Sequence, residues 1–258
     1  MAPEADTGIA RRIADDLMEK IKDGVYPPGA KLPTARALAE EYGTTRTTAH
    51  KALAMLQRSN IAEARTGSGT YVRESHPVRI LGPDRYARSR WADTAVEAYS
   101  PAGGEPARQE GSQTQTVRVV EADEQVAAAL GLPKGTPVVE RARMIYRNGR
   151  VTHTVASYYR QEHVEGTPIM DDRPGIAGNG GGFAVLAERG LEPHEITEET
   201  NARMPTSEEA LILGILPSDP ILEMHRVTRT RDGRPVEYAR GVYIAHRFKL
   251  RYTFPIPD

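Results

Sequence analysis

The sequence predicts an α+β chain in two parts, on three observations. Residues 31–72 hold two short helical patterns followed at once by a Gly-Ser-Gly hairpin tip. From residue 116 onward, a pattern of strand, helix, strand, turn and strand is written twice. The 258 residues also suffice for one small and one medium domain. The expected division is 1–75 for the helical part, 76–83 for a linker broken by two prolines and a glycine, and 84–258 for the sheet part.

In the first part, Ile9, Ile13, Leu17 and Ile21 recur every four residues, as on a helix face. Gly24 and Pro27-Pro28-Gly29 close that run. Thr34 offers a hydroxyl N-cap to a second helix of about ten residues, in which Leu38 and Tyr42 share a face before Gly43 stops it. Thr44 and Thr45 cap a third run. Its Ala49, Leu53 and Leu56 form an apolar stripe, while Arg46, Thr47, His50 and Lys51 fall on the opposite side. Residues 62–65 and 70–73 pair across Thr66-Gly67-Ser68-Gly69, because glycine accepts the positive φ of a tight hairpin. Three helices and a hairpin in this order are the layout of a winged helix-turn-helix, with the third helix free to enter a groove of double-stranded DNA.

Charge agrees with that layout. The chain as a whole is nearly neutral, with 34 Lys and Arg against 35 Asp and Glu. Between Thr44 and Ser75, however, five cations (Arg46, Lys51, Arg58, Arg65, Arg73) face two acids (Glu63, Glu74). A local positive patch on a balanced protein suits phosphate neutralisation. An arginine in the first turn of a recognition helix is placed to reach base edges, whereas Lys51, Arg65 and Arg73 read as phosphate or solvent contacts.

The second part follows the duplication. Its first copy is a strand at 116–121, a helix at 123–130, a Leu-Pro-Lys-Gly turn, a strand at 137–147, the turn Asn148-Gly149 and a strand at 151–160. The second copy is a strand at 196–203, a helix at 207–213, a Leu-Pro-Ser-Asp turn, a strand at 220–230, the turn Asp232-Gly233 and a strand at 235–245. Asn-Gly and Asp-Gly are strong hairpin signals. Two such units predict a pseudo-symmetric antiparallel sheet with helices on one side. Superposing them sets Arg143 on Arg226, His153 on Glu237, Ser157 on Gly241 and Tyr159 on Tyr243.

Strand residues two apart share a face, so Glu237, Ala239, Gly241 and Tyr243 point one way, as do Arg141 and Arg143. Small residues between an acid and an aromatic leave room either for a small molecule or for a packed helix with Glu237 at its rim. The run 175–182, GIAGNGGG, reads as a lid or as a disordered connector, and 88–106 as strand or irregular structure.

The stretch GAKLPTARALAEEYGTTRTTAHKAL, with RTGSGTYV, resembles the DNA-binding domain of GntR-family bacterial transcription regulators. By that resemblance Arg36, Arg46, Thr47 and Gly69 approach DNA, with Thr45, His50, Lys51 and Ser68 completing the candidate surface. His50 stands where the family often has a second arginine, which implies an altered base preference. Residues 84–252, with ALGLPKGTPVVERARMIYRNG, MPTSEEALILGILPSDPILEMHRVTRTRDGRPVEYARGVY and KLRYTF, resemble the UTRA effector-sensing domain of the HutC subfamily, related in fold to chorismate lyase. That resemblance implies an antiparallel sheet with helices. It implies Arg141 and Arg143 on an anionic group and Glu237 and Tyr243 on hydroxyls; His153 and Ser157, set on Glu237 and Gly241 by the duplication, complete the candidate effector residues. Val155 lies near the position where family members often carry an acid, which argues against a sugar phosphate. The style of the second half looks like that of actinobacterial members.

The resemblance implies a homodimeric, ligand-responsive repressor on a palindromic operator. Two rival readings remain: a constitutive repressor of a mobile element, and an enzyme on the lyase-like scaffold. The second half has no Ser-His-Asp order or phosphate loop to favour the enzyme. No run approaches the roughly eighteen apolar residues of a membrane span and no signal-peptide core is present, so the expected location is the cytoplasm with no membrane partner. With no cysteine and seven scattered histidines, neither a metal site nor any other cofactor is expected.

Overall fold

The computed structural model describes residues 2–59, 61–65, 67–73, 78–91, 113–147, 149–173 and 182–256, leaving aside the side chains of 2–6 and 90. The expected strand or irregular segment beyond Trp91, most of the glycine-rich run and Asn148 lie outside the described residues. The chain divides into two compact units, Met1–Pro77 and Val78–Asp258.

The first unit packs α1 (Ala2–Lys22), α2 (Ala35–Glu41) and α3 (Arg46–Arg58) around one core. In α1 the buried residues are Ala10, Ile13, Ala14 and Leu17, while Ile9 is exposed. A strict four-residue repeat gains about 40° per step on a 3.6-residue helix, so the predicted stripe rotates out of the core at its N-terminal end. Helices α2 and α3 start where hydroxyls cap them. Thr34 Oγ1 accepts from the Ala37 amide at 3.2 Å and Thr45 Oγ1 from the Thr48 amide at 3.2 Å. Helix α2 ends at Glu41, shorter than expected, as the chain turns through Tyr42 into Gly43 with φ +61°.

The hairpin pairs β1 (Ala62–Arg65) with β2 (Gly69–Val72), Ala62 opposite Val72 and Arg65 opposite Gly69. A third segment joins it. The Leu32 amide donates to the Thr70 carbonyl at 2.8 Å, the Val72 amide to Ala30 at 2.8 Å and the Gly29 amide to Val72 at 3.0 Å. The wing therefore has a third, bridge-like edge formed by residues 29–32.

In the second unit, six antiparallel strands lie in the order β4-β5-β6-β9-β8-β7. They are β4 (Gln113–Glu121), β5 (Pro137–Arg147), β6 (Arg150–Arg160), β7 (Glu195–Arg203), β8 (Ile221–Arg229) and β9 (Pro235–Ile244). At the join of the two copies Ala156 pairs with Arg240, positions that superposing the copies equates, so the pseudo-two-fold passes there. Equivalent helices confirm the duplication. Helix α4 (Glu124–Leu130) has its N-cap at Asp123 and ends on left-handed Gly131. Helix α7 (Ser207–Leu213) has a Thr206–Glu209 capping box and ends on left-handed Gly214. A short parallel pair, β3 (Arg79–Leu81) with β10 (Phe248–Leu250), uses residues expected to be linker.

Helices cover both sides of the sheet, correcting the one-sided expectation. Helix α4 packs on Val138, Tyr158 and Tyr238, and α7 on Ile221 and Ile244. The opposite face meets α5 (Gln161–Val164), the turn Pro168–Met170 and α6 (Phe183–Glu188). Burying Phe183, Leu186, Ile169 and Val164 against Val139 and Tyr159 explains their placement, because these apolar side chains have no other core to enter.

Candidate DNA-reading and effector-sensing sites

On the first unit, α3 buries Thr48, Ala49, Ala52, Leu53 and Leu56 and exposes Arg46, Thr47, His50 and Lys51. One helix thus has a packed side and a polar side, as a groove-reading element requires. Arg46 occupies the first helical position, and no carboxylate among the described residues pairs with it. Arg36 is exposed on α2, with only a loose 3.8 Å approach to Glu40. Thr45 is exposed, but its hydroxyl is engaged as the cap and lies 2.8 Å from that of Thr48. At the wing, Ser68 Oγ and the Tyr71 hydroxyl are 2.6 Å apart, and Gly69 holds φ +120°. All eight candidate DNA residues are solvent-facing on this unit.

On the second unit, the ladder brings all six candidate effector residues to one face of the sheet. Arg141 is opposite Ser157, Arg143 opposite Val155, His153 opposite Tyr243 and Ser157 opposite Ala239. The next strand adds Arg226 opposite Ala239 and Thr228 opposite Glu237. Glu237 sits at the centre of this face, fully buried, and not at a rim. Its carboxylate accepts from Tyr159 Oη at 2.9 Å, from Arg226 at 2.6 Å and from Thr228 Oγ1 at 3.3 Å. Burial would raise the Glu237 pKa, but the Arg226 and Arg143 guanidiniums and these hydrogen bonds hold it below the ordinary carboxylate value.

Arg143 donates to Ser157 Oγ at 2.9 Å. Arg141 is 1% exposed, and burial together with the neighbouring Arg143 charge pushes its pKa down to about 10. His153 is buried and stacked on Tyr243, with ring centroids 4.7 Å apart, and meets the edge of Phe248 at 5.1 Å. Burial, with Arg79 and Arg143 nearby, pushes its pKa down to about 3, so it is a neutral ring at ordinary pH. The hollow over Gly241 is filled by the Tyr243 ring: a Cβ at Gly241 would lie about 2.4 Å from Tyr243 Cε2. The aromatic thus folds back along its own strand over Gly241.

A strap of residues 83–91 closes one end of this face. Arg85 and Tyr86 both donate to Glu198 on β7, and Tyr252 donates to the other oxygen of that carboxylate. The Arg226 guanidinium stacks at 5.1 Å over the Tyr86 ring and 5.3 Å over Phe183. Arg141, Arg143 and Arg226 on this face, with Arg85 from the strap, set four guanidiniums beside the carboxylates of Glu198 and Glu237, electropositive surroundings suited to an anion.

The comparisons with known proteins agree with both units. Residues 9–72 match the gntR family of bacterial regulatory proteins, and residues 107–249 match the UTRA domain. An HTH-type transcriptional regulator of Streptomyces coelicolor is 44% identical over 100% of this chain and 96% of its own length. The chain belongs to the GntR family of transcriptional regulators.

Other GntR relatives align along nearly the whole chain. The transcriptional repressor NagR of Bacillus subtilis is 25% identical over 94% of this chain and 91% of its own. A crystal structure of a GntR-family regulator superposes with a TM-score of 0.63 at 30% identity, covering 96% of this chain and 98% of that one. PhnF from Mycobacterium smegmatis shares the fold, with a TM-score of 0.53 at 20% identity, covering 96% of this chain and 100% of its own. The protein is thus a DNA-binding regulator with an effector-sensing UTRA domain, and not an enzyme. Among the described residues no helix is long and apolar enough to cross a membrane.

Arg226, Glu198, Tyr86 and Tyr159 join this candidate effector face without having been among the residues expected there. Arg226 and Tyr159 were within reach, since the duplication sets them on Arg143 and Tyr243, both already candidates. Glu198 and Tyr86 had no such signal, because an edge strand and a 3-10 turn meet only through the tertiary fold.

Proposed function

We propose that this GntR regulator is a homodimeric repressor. Its α3 helices read a palindromic operator and a small polar anion in the UTRA domain releases it. Arg46 and Thr47 read bases, with Arg36, His50, Lys51, Thr45, Ser68 and Gly69 fixing the wing and helix on the duplex. A two-fold dimer reads two half-sites, so symmetry in the protein predicts symmetry in the operator. By name, NagR is a repressor, and MngR of Escherichia coli is the repressor of a mannosyl-D-glycerate transport/metabolism system. The reading for this chain takes the same sense of regulation.

The observation that carries the effector half is the buried Arg226–Glu237 pair among two further arginines. Arg141 and Arg143 hold the anionic group, and Glu237, Ser157 and Tyr243 meet its hydroxyls, with His153 as a neutral packing ring. An anion that engages Arg226 competes with Glu237 and alters the stack of Arg226 on Tyr86. Tyr86 and Arg85 belong to the segment that follows the DNA-binding unit in the chain, which gives the sensor a covalent route to the reader. Coupling requires only that the effector bind the DNA-competent and incompetent states with different affinity.

The test is a panel of small carboxylates and phosphates, screened by thermal shift and by displacement of the protein from duplex DNA of its own upstream region. A stabilising anion that also displaces DNA supports the reading. An anion that stabilises without displacing leaves only a constitutive repressor.

A further inference from the structure

The described wing presents three basic or hydroxyl groups around one ring, and one of them comes from outside the hairpin. Lys31 lies on the edge segment that joins β2, directly bridged to Tyr71. Its ammonium is 5.9 Å from the Tyr71 ring centroid, and the Arg65 guanidinium is 4.3 Å from the same centroid. The Tyr71 hydroxyl is held by Ser68 at the tip. Arg65 is paired with Glu63 at 2.8 Å, which offsets its charge. No carboxylate among the described residues pairs with Lys31, and its side chain is exposed.

Gly69 makes this placement possible. A Cβ there would lie 3.0 Å from Lys31 Cε, and the φ of +120° disfavours a side chain in any case. The glycine therefore lets the Lys31 stem cross the base of the wing tip, besides letting backbone approach a groove.

We infer that Lys31 is a DNA-backbone contact of this regulator, and that Tyr71 positions it by offering the ring along which its ammonium lies. The inference rests on the reading of α3 and the wing as the DNA surface. An uncompensated cation beside a groove-entering wing replaces a condensed counterion without reading sequence. Arg65, with Glu63 in attendance, contributes less.

The test uses the full chain and a fluorescein-labelled random-sequence duplex, with affinity measured by anisotropy across a salt series. Lys31→Gln is expected to lower the magnitude of the log-affinity against log-salt slope by about 0.9 per bound chain, an affinity loss of about eightfold at 0.1 M salt. Lys31→Arg is expected to keep the slope. Tyr71→Phe keeps the ring and is expected to keep the slope, while Tyr71→Leu is expected to reduce it. Circular dichroism melts of each variant separate loss of contact from loss of fold, and a merely structural role for Lys31 would not move the slope. A Lys31→Gln slope equal to wild type overturns the inference while leaving the recognition helix standing. A wild-type chain that binds no duplex at any salt overturns both.

Discussion

The Arg226 guanidinium donates to the Glu237 carboxylate at 2.6 Å in the middle of the sensor sheet, with Glu237 fully buried and Arg226 stacked on Tyr86. Two residues of adjacent strands thus tie the floor of the sheet to the strap that follows the DNA-binding unit. Removing one partner of a buried pair strands the other charge in a poorly solvated site.

Glu237→Ala is accordingly expected to cost about 3–5 kcal/mol of unfolding free energy, measured by urea denaturation. Glu237→Met combined with Arg226→Met is expected to recover most of that loss. A single Glu237→Ala as stable as wild type would show that the pair is not closed in solution.

Arg143→Ala is expected to leave duplex binding intact and to abolish the response to a displacing anion. Among the described residues Arg143 donates to Ser157 and forms no salt bridge, so its loss breaks no buried ion pair. Titrating the anion against the protein–DNA complex by anisotropy checks this. An unchanged response in both Arg143→Ala and Glu237→Gln would place the pocket elsewhere.

His153 gives the sensor domain an acid sensitivity of predictable sign. Its folded pKa, pushed down to about 3 by burial and then by Arg79 and Arg143, lies below the ordinary value of about 6.5. The unfolded chain binds the proton first. Stability from this group is whole above pH ~6.5 and falls by up to about 1.4 kcal/mol per unit as pH drops from there toward 3. His163, also held low by burial, adds with the same sign. In His153→Phe, which keeps the ring between Tyr243 and Phe248, the melting temperature is expected to fall less steeply between pH 6.5 and about 4.5. Parallel curves for the two proteins would contradict a neutral buried His153.

Thr45 and Thr47 separate capping from contact. Thr45→Ala removes the hydroxyl that accepts from the Thr48 amide and is expected to cost about 1 kcal/mol of stability. Thr47 is exposed and caps nothing, so Thr47→Ala is expected to leave the melting temperature unchanged and to weaken operator binding. The reverse pattern would put the helix start at another residue.

Much of the fold was legible because local signals agreed with the tertiary outcome. Thr34 and Thr45 cap, Gly43 turns, and the duplicated strand-helix-hairpin pattern fixes which strand residues share a face. Sharing a face is enough to bring Arg141, Arg143, Ser157, Glu237 and Tyr243 together, since side chains alternate along every strand. What sequence did not show came from contacts far apart in the chain. Lys31 beside Gly69 and Tyr86 on Glu198 depend on packing that no local period encodes. Helix α6 escaped notice because six residues are too few for a periodic stripe.

The most direct measurement is a footprint of the full chain on its own upstream DNA, run in parallel for wild type and Arg46→Ala. The account predicts symmetric protection of two half-sites about one helical turn apart by wild type, and its loss in an Arg46→Ala protein that melts normally. Protection by Arg46→Ala identical to wild type would contradict the central claim that the exposed side of α3 reads the operator.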